Sequence, residues 1–279
     1  MKRTNTLALP QINIAGHRIS RLIVGNNPMS GHSHNSLDLT KSMVEYFTME
    51  RSKALLRDCE AEGINAFQGR ADLWIFHILQ EHRQEGGNIK FIYQTATEMK
   101  DLPGNIRIAA REGAFAVYHH GTETDNHWID GTIEEVRETM KTARDCGAAV
   151  GVGSHKPEVI EYIEEKGWDV DFYMTGFYNV YRLLKGKKES FILTGTPVQE
   201  CFDDADRERM CETIRKVSKP CLAFKILGAG RKCKTPEEVE AAFRYAFANI
   251  KKTDAVIVGM FPKHRDQVSE NASLTRKYG

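Results

Sequence analysis

The sequence predicts a single α/β domain in which eight parallel strands, each followed by a helix, close into a (β/α)8 barrel, the TIM-barrel architecture. Short apolar runs alternate with helical patterns along the whole chain, as they do in βα units. The 279 residues exceed the about 250 that such a barrel typically needs. No change in composition marks a second domain, so residues 1–279 are assigned to one domain.

The predicted elements follow in chain order. Residues 11–19 alternate apolar and polar side chains around Ala15-Gly16, which predicts a β-hairpin. Buried strands are predicted at 21–25, 64–67, 90–94, 115–120, 149–155, 171–175, 221–227 and 255–258. Helices are predicted at 36–62 (in one or two pieces), 72–85, 105–112, 133–146 and 157–166, then from 203, from 235 and from about 264.

Composition narrows the class of protein. Hydrophobic residues make up 41% and charged residues 28%, which is typical of a globular chain. The formal net charge of +1 argues against nucleic acid or an anionic membrane as the main partner. No apolar run approaches the ~20 residues of a membrane span, and Met1–Asn5 lead into no apolar stretch, so no secretion signal is predicted. Six cysteines without a Cys-x-x-Cys pair favour reduced thiols and a cytoplasmic location.

Polar side chains gather where the predicted strands end. The carboxyl ends of all barrel strands meet at one mouth, where barrel enzymes place their active sites. The sequence therefore predicts a small-molecule site there, and leaves the oligomeric state open. The candidate substrate-binding residues are Asn26, Gln68, Arg70, Gln94 and Tyr178, and the candidate catalytic residues are Lys225, His119 and His120.

Histidines suggest a metal at this mouth. Imidazole is a common ligand of Zn and Ni, and His34, His155 and one of His119 and His120 are the predicted ligands, with His32 as a substitute for His34. Asp125 is the best carboxylate candidate. Adjacent residues of a strand point to opposite faces, so only one of His119 and His120 is expected to face the barrel. A mouth without metal, in which the same imidazoles bind substrate or cofactor, stays an alternative.

Lys225 is the predicted proton-transfer residue. An inward lysine between Phe224 and Ile226 would be desolvated, and a depressed pKa would suit it as a base or Schiff-base former. The function predicted first is metal-assisted acid–base chemistry on a polar, carbohydrate-like substrate, of isomerase, epimerase or lyase type. The long segment 176–202, with aromatic and then basic residues, is predicted to be a lid or an insertion loop.

Several segments resemble the aldo-keto reductases. Gly16–Gly25, Glu62–Asn65, Phe177–Asn179 and Val256–Gly259 with Asp266–Asn271 are similar to stretches of that family, whose barrel is plugged by a hairpin. The segments Gly25–His34, Tyr118–Gly121 and Phe224–Arg231 are also similar to a bacterial group of barrel proteins from which no activity transfers. The resemblance to the aldo-keto reductases implies a TIM barrel with the hairpin of residues 11–19 as the plug of its N-terminal end.

The resemblance also implies a nicotinamide cofactor, NAD(P), held by Gly228, Arg231, Gly259, Gln267 and Asn271. The catalytic positions depart from the family, however. Gln68, Leu73 and Gln94 stand where it has Asp, Tyr and Lys, and only its histidine is kept, as His119 or His120. A divergent NAD(P)-dependent oxidoreductase and a non-catalytic ligand-binding barrel are therefore the alternative functions.

Overall fold

The computed structural model describes residues 8–182 and 200–279, and it confirms the predicted barrel. Eight parallel strands form a closed sheet. The strands are β3 (Leu22–Gly25), β4 (Ala66–Arg70), β5 (Lys90–Gln94), β6 (Ala114–His119), β7 (Ala149–Ser154), β8 (Phe172–Gly176), β9 (Cys221–Phe224) and β10 (Ala255–Gly259). Their order around the barrel is β10-β3-β4-β5-β6-β7-β8-β9.

The predicted hairpin is also present. Strands β1 (Gln11–Ile14) and β2 (His17–Ser20) pair antiparallel, and Ala15 and Gly16 both have positive φ, as a tight two-residue turn requires. Ile12, Ile14 and Ile19 belong to the same buried cluster as the inward side chains of the barrel strands. The hairpin therefore closes the N-terminal end and leaves the other end for the site.

Ten helices surround or cap the barrel in the described part of the chain. They are Leu37–Tyr46, Met49–Ala61, Leu73–Gln84, Leu102–Arg111, Gly121–Ile129, Ile133–Asp145, Pro157–Glu165, Asp204–Lys216, Pro236–Asn249 and Gln267–Tyr278. The predicted helix 36–62 is thus two helices. The helix Gly121–Ile129 was not predicted, because its polar sequence carries little apolar periodicity.

Two strand boundaries differ from prediction in ways that matter for the site. Strand β4 extends to Arg70, so Gln68 lies within a strand rather than beyond its end. Strand β9 ends at Phe224, and Lys225 follows with a left-handed φ of 62°. The apolar run of residues 221–227 concealed this turn, in which the N–H of Gly228 donates to the carbonyl of Lys225 over 2.8 Å.

Alternation along the strands decides which side chains face the interior. Ile92, Ala116 and Met174 belong to the inner cluster, whereas Tyr93, Val117 and Tyr173 pack between the sheet and the helices. Side chains two residues along from the inner ones are therefore directed into the barrel toward its C-terminal mouth.

Candidate functional site

A cavity of about 560 Å³ occupies the C-terminal mouth. It lies over the C-terminal ends of the barrel strands and extends past β9 and β10 to the start of the helix Gln267–Tyr278. The predicted site residues that line it are His34, Gln68, Gln94, His120, His155, Lys225, Gly259, Gln267 and Asn271, and His32 lines it as well.

A neutral hydrogen-bonded chain forms the floor. The Gln68 amide donates to the Tyr118 hydroxyl over 2.9 Å, and that hydroxyl donates to Gln94 Oε1 over 2.7 Å. Burial raises the pKa of Tyr118, which keeps the phenol protonated. The chain leaves the Gln68 carbonyl oxygen and the Gln94 amide nitrogen as acceptor and donor for a polar ligand.

His119 and His120 lie in different surroundings. Tyr118 faces the barrel, so His119 faces outward, where its Nδ1 is 2.9 Å from the Thr124 hydroxyl and its ring is 5.8 Å from that of His127. His120 lines the cavity, and its Nδ1 is buried without a hydrogen-bond partner in the described residues. Burial, reinforced by His155, lowers the pKa of His120 well below its usual value. Of the predicted pair, His120 is therefore the neutral imidazole available at the mouth.

A carboxylate orients His155. Asp125, on the helix Gly121–Ile129, accepts from His155 Nδ1 over 2.9 Å and from the Ser154 hydroxyl over 2.5 Å. It also accepts from the backbone N–H of His155 over 3.2 Å. A carboxylate only accepts, so Nδ1 carries the hydrogen and Nε2 is the basic nitrogen. Both side chains are at least nine-tenths buried, and the ring of His155 lines the cavity.

Two aromatic rings and a glycine surround the rest of the His155 side chain. Its ring packs edge-on against Phe224 at 5.2 Å and Tyr181 at 5.7 Å between centroids. Gly176 stands behind it: a Cβ there would lie 2.8 Å from His155 Cδ2 and 3.0 Å from Phe224 Cζ. The absence of a side chain at residue 176 thus makes room for the imidazole.

A second group of charged side chains lies at the mouth, close enough to His155 for their charges to interact. His34 Nδ1 lies 2.9 Å from Glu200 Oε1, and Arg231 donates to the carbonyl of His34 over 3.0 Å. Burial opposes ionisation of Glu200, but Lys225 and His34 outweigh it and hold its pKa at about 2. Burial lowers the pKa of Lys225, against the attraction of Glu200. The amine of Lys225 makes no hydrogen bond or salt bridge with any described residue; it lies 5.9 Å from the Phe224 ring centroid.

Other predicted residues have structural partners and do not line the cavity. The Asn26 amide donates to Ser30, and Arg70 pairs with Asp72 and Glu98. Tyr178 is 1% exposed, with its hydroxyl 3.4 Å from an Asp204 oxygen. Gly228 and Arg231 flank the cavity, which is lined instead by Ala229 and Gly230 between them. The cavity lining therefore does not support substrate-binding roles for Asn26, Arg70 and Tyr178.

The part of the chain that the structure describes does not show the predicted metal centre. Among residues 8–182 and 200–279, no group of three or more His, Cys, Asp and Glu is arranged to hold a metal ion. His119 points away from the mouth, His155 is bonded to Asp125, and His34 is bonded to Glu200. Sequence spacing could not show these separate partners, because each lies in a different segment of the chain.

The predicted lid falls largely outside the described residues, which exclude 183–199. At its edges, Phe177 and Val180 are buried in the core, and the N–H of Cys201 donates to the carbonyl of Val180 over 2.8 Å. These edge residues are part of the packed fold. The lid itself stays a prediction.

The outer end of the cavity is lined by the start of the last helix. Arg265 pairs with Glu270 over 2.8 Å, and Gln267 Oε1 accepts from the N–H of Phe261 over 2.7 Å. Asn271 is 4% exposed and also lines the cavity. This end combines amides with a positive charge that Glu270 partly neutralises.

The roles of four residues of the candidate site were not predicted from the sequence. Tyr118 could have been found by extending the inward alternation from Ala116 along β6. Asp125 was considered as a metal ligand but not as the partner of His155. Glu200 and Phe224 carried no local signal, since their roles depend on contacts with distant residues.

No protein-family model matches the sequence, and no curated protein matches it either. Solved structures do resemble the fold. An aldo-keto reductase, AKR11C1 from Bacillus halodurans in its holo form, has a TM-score of 0.62 at 13% identity, over 96% of this chain and 91% of its own. Gox0644, a variant of which was crystallised with NADPH, has a TM-score of 0.58 at 12% identity, over 96% and 88%.

Barrels of other activities are similar to a comparable degree. A truncated 3-deoxy-D-arabino-heptulosonate 7-phosphate synthase from Thermotoga maritima has a TM-score of 0.55 at 12% identity, over 97% of this chain and 90% of its own. At such identities the likeness shows the TIM-barrel fold, with aldo-keto reductases among several kinds of neighbour. Within the described ranges, no helix combines the length and apolar character that crossing a membrane requires.

Proposed function

We propose that this chain is an enzyme that transfers protons on a small polar substrate at the barrel mouth, with His155 as the general acid–base. The observation that carries the proposal is the Asp125–His155 pair at the cavity wall, 2.9 Å apart. A buried carboxylate fixes the tautomer of the imidazole and stabilises its protonated form, as it does in known acid–base sites. The same side chain in an ordinary core would not line an open cavity.

The floor of the cavity suits hydroxyl and carbonyl groups. Gln68 and Gln94 offer an acceptor and a donor that Tyr118 holds in place, and His120 adds a neutral imidazole. None of these groups carries a charge. They therefore favour a neutral, sugar-like molecule, for which isomerase, epimerase or lyase chemistry fits the acid–base pair.

Solvent-deuterium exchange tests this proposal. The protein is incubated in D2O with a panel of small hydroxyaldehydes and hydroxyketones, and deuterium at the carbon beside the carbonyl is followed by NMR. We expect enzyme-dependent incorporation, and we expect His155→Gln to lower its rate by about 10²–10⁴-fold, the usual contribution of a general acid–base. His127→Gln is the matched control, because His127 bonds to Thr132 outside the barrel. Absence of exchange with every compound, or an unchanged rate in His155→Gln, contradicts the proposal.

A nicotinamide dinucleotide is the second candidate ligand, and the length of the cavity favours it. The cavity runs from Phe224 at the mouth past Gly259 to Gln267 and Asn271. That path would hold an elongated ligand, with the amides at its outer end, and the similar barrel of Gox0644 has been crystallised with NADPH. When bound, the cofactor would supply hydride transfer, with the His155 side of the mouth handling the proton.

Calorimetric titration with NADH and NADPH tests this second candidate. We expect binding, and we expect Arg265→Gln to weaken it by about tenfold, as loss of one charge-assisted hydrogen bond predicts. Lys263→Gln is the control, since Lys263 donates to Ser42 and does not line the cavity. Absence of binding by both nucleotides removes the cofactor and leaves the acid–base proposal unaffected.

A further inference from the structure

Lys225 differs from Lys53 and Lys251, two other lysines with low exposure, in having no polar partner among the described residues. Lys53 contacts three glutamates, and Lys251 donates to the carbonyls of Ile214 and Lys219 and pairs with Asp254. Lys225 has no hydrogen bond or salt bridge within residues 8–182 and 200–279, yet its side chain lines the cavity. A lysine that serves structure normally has its ammonium group hydrogen-bonded.

The backbone at Lys225 is also unusual. Its φ of 62° places a non-glycine residue in the sparsely populated left-handed region, directly after strand β9 ends at Phe224. The turn directs the chain out of the sheet at the mouth. Such conformations persist where the surrounding structure enforces them, and they concentrate at functional sites.

The nearby carboxylate is already engaged. Glu200 lies 2.9 Å from His34 Nδ1, so it acts on Lys225 only through space. The Lys225 amine therefore keeps its lone pair accessible when deprotonated, and burial lowers its pKa and so increases the deprotonated fraction. His120 and His155 are close enough to Lys225 or Glu200 for their charges to interact.

We propose that Lys225 is a catalytic residue that forms an imine with the carbonyl carbon of the substrate. The Nζ lone pair adds to the carbonyl carbon, and the carbonyl oxygen takes a proton to give a carbinolamine. The nitrogen gives up one of its two hydrogens in forming the carbinolamine. Its lone pair then forms the second bond to carbon as the hydroxyl group takes up a proton and leaves as water, and the nitrogen of the protonated imine keeps its other hydrogen. No oxidant or reductant takes part. The protonated imine withdraws electrons from the neighbouring carbon, where His155 moves the proton.

This inference rests on the proposed acid–base function and narrows its substrates to aldehydes and ketones. Reductive trapping tests it on the full chain. The protein is incubated at neutral pH with dihydroxyacetone or glyceraldehyde and sodium cyanoborohydride, and labelled lysines are quantified by peptide mass spectrometry. We expect Lys225 to be alkylated about tenfold faster than the other lysines, as a desolvated amine with a lowered pKa should be.

Variants make the assignment specific. Lys225→Arg keeps the charge but cannot form the imine, so the fast labelling should disappear, whereas Lys156→Met, beside His155, should retain it. Labelling of Lys225 in the unmodified protein at the rate of the surface lysines overturns the inference, and so does fast labelling that survives in Lys225→Arg. Fast labelling of Lys225 without deuterium exchange would support the imine and refute the role of His155. Deuterium exchange without fast labelling would support the role of His155 and refute the imine.

Discussion

Replacing Asp125 by asparagine tests the orientation of His155 without changing the size of the side chain. Asp125 accepts from His155 Nδ1 at 2.9 Å and from the Ser154 hydroxyl at 2.5 Å. Hydrogen bonds to a charged group contribute about 1.5–3 kcal/mol, and neutral ones about 0.5–1.5 kcal/mol. The substitution should therefore cost about 1 kcal/mol at each of the two side-chain bonds, or about 2 kcal/mol in all.

A second cost comes from the donors of the introduced amide. Three hydrogens point at this side chain, from His155 Nδ1, the His155 backbone and Ser154. An amide has one acceptor oxygen, so its NH2 group faces at least one of those donors. We expect the free energy of unfolding to fall by about 3–5 kcal/mol in all, because an unsatisfied buried donor adds about 1–3 kcal/mol.

Urea unfolding at pH 7 measures this loss, and NMR of the imidazole nitrogens reports whether the hydrogen leaves Nδ1. Asp145→Asn is the matched control: it is exposed at the end of the helix Ile133–Asp145, and its effect should stay within about 0.5 kcal/mol. An Asp125→Asn protein as stable as that control, with the hydrogen still on Nδ1, would refute the orientation argument.

Three further predictions concern His119, Gly176 and Tyr118. Burial lowers the pKa of His119 to about 3. Between that pH and pH ~6.5 the unfolded chain binds a proton that the folded chain does not, so the free energy of unfolding falls as the pH decreases. His119→Asn should therefore reduce the slope of unfolding free energy against pH by up to about 1.4 kcal/mol per pH unit, measured by urea titrations between pH 7 and 5. Gly176→Ala should cost about 1–3 kcal/mol in unfolding free energy, since its Cβ would lie 2.8 Å from His155 Cδ2; equal stability would show that the ring moves freely. Tyr118→Phe removes two hydrogen bonds and should lower the unfolding free energy by about 1–3 kcal/mol, and a melting temperature unchanged from the parent protein would contradict this.

The architecture was predictable because periodicity is a local property. Each barrel strand is buried on both faces and is therefore a short apolar run in the sequence. Eight such runs that alternate with helical patterns can be recognised from the sequence alone. The C-terminal ends of two strands differ from the prediction. The sequence predicts Gln68 beyond the end of β4 and Lys225 within β9, because an apolar pattern does not indicate where the hydrogen bonds between strands end.

The position of the cavity was predictable, but the pairing of the side chains that line it was not. The rule that strand ends meet at one mouth brought His34, Gln94, His155 and Lys225 to the same cavity. The partners of the histidines depend on side-chain direction and on contacts between distant segments. His34 meets Glu200 across 166 positions of sequence, a relation that no spacing in a single chain reveals.

The side chains at the floor of the mouth determine which group can act as the proton donor. In the family that the sequence resembles, a tyrosine beside a lysine and an aspartate protonates the carbonyl. Here Leu73 at the tyrosine position is 71% exposed on the protein surface, and the other two positions are amides bonded to Tyr118. Those amides supply no charge to lower the pKa of the Tyr118 phenol, which burial raises instead. Proton transfer is therefore expected at His155. Any NADPH-dependent reduction of a simple aldehyde should be lost in His155→Gln and kept in Tyr118→Phe, and the reverse result would restore the floor as the proton donor.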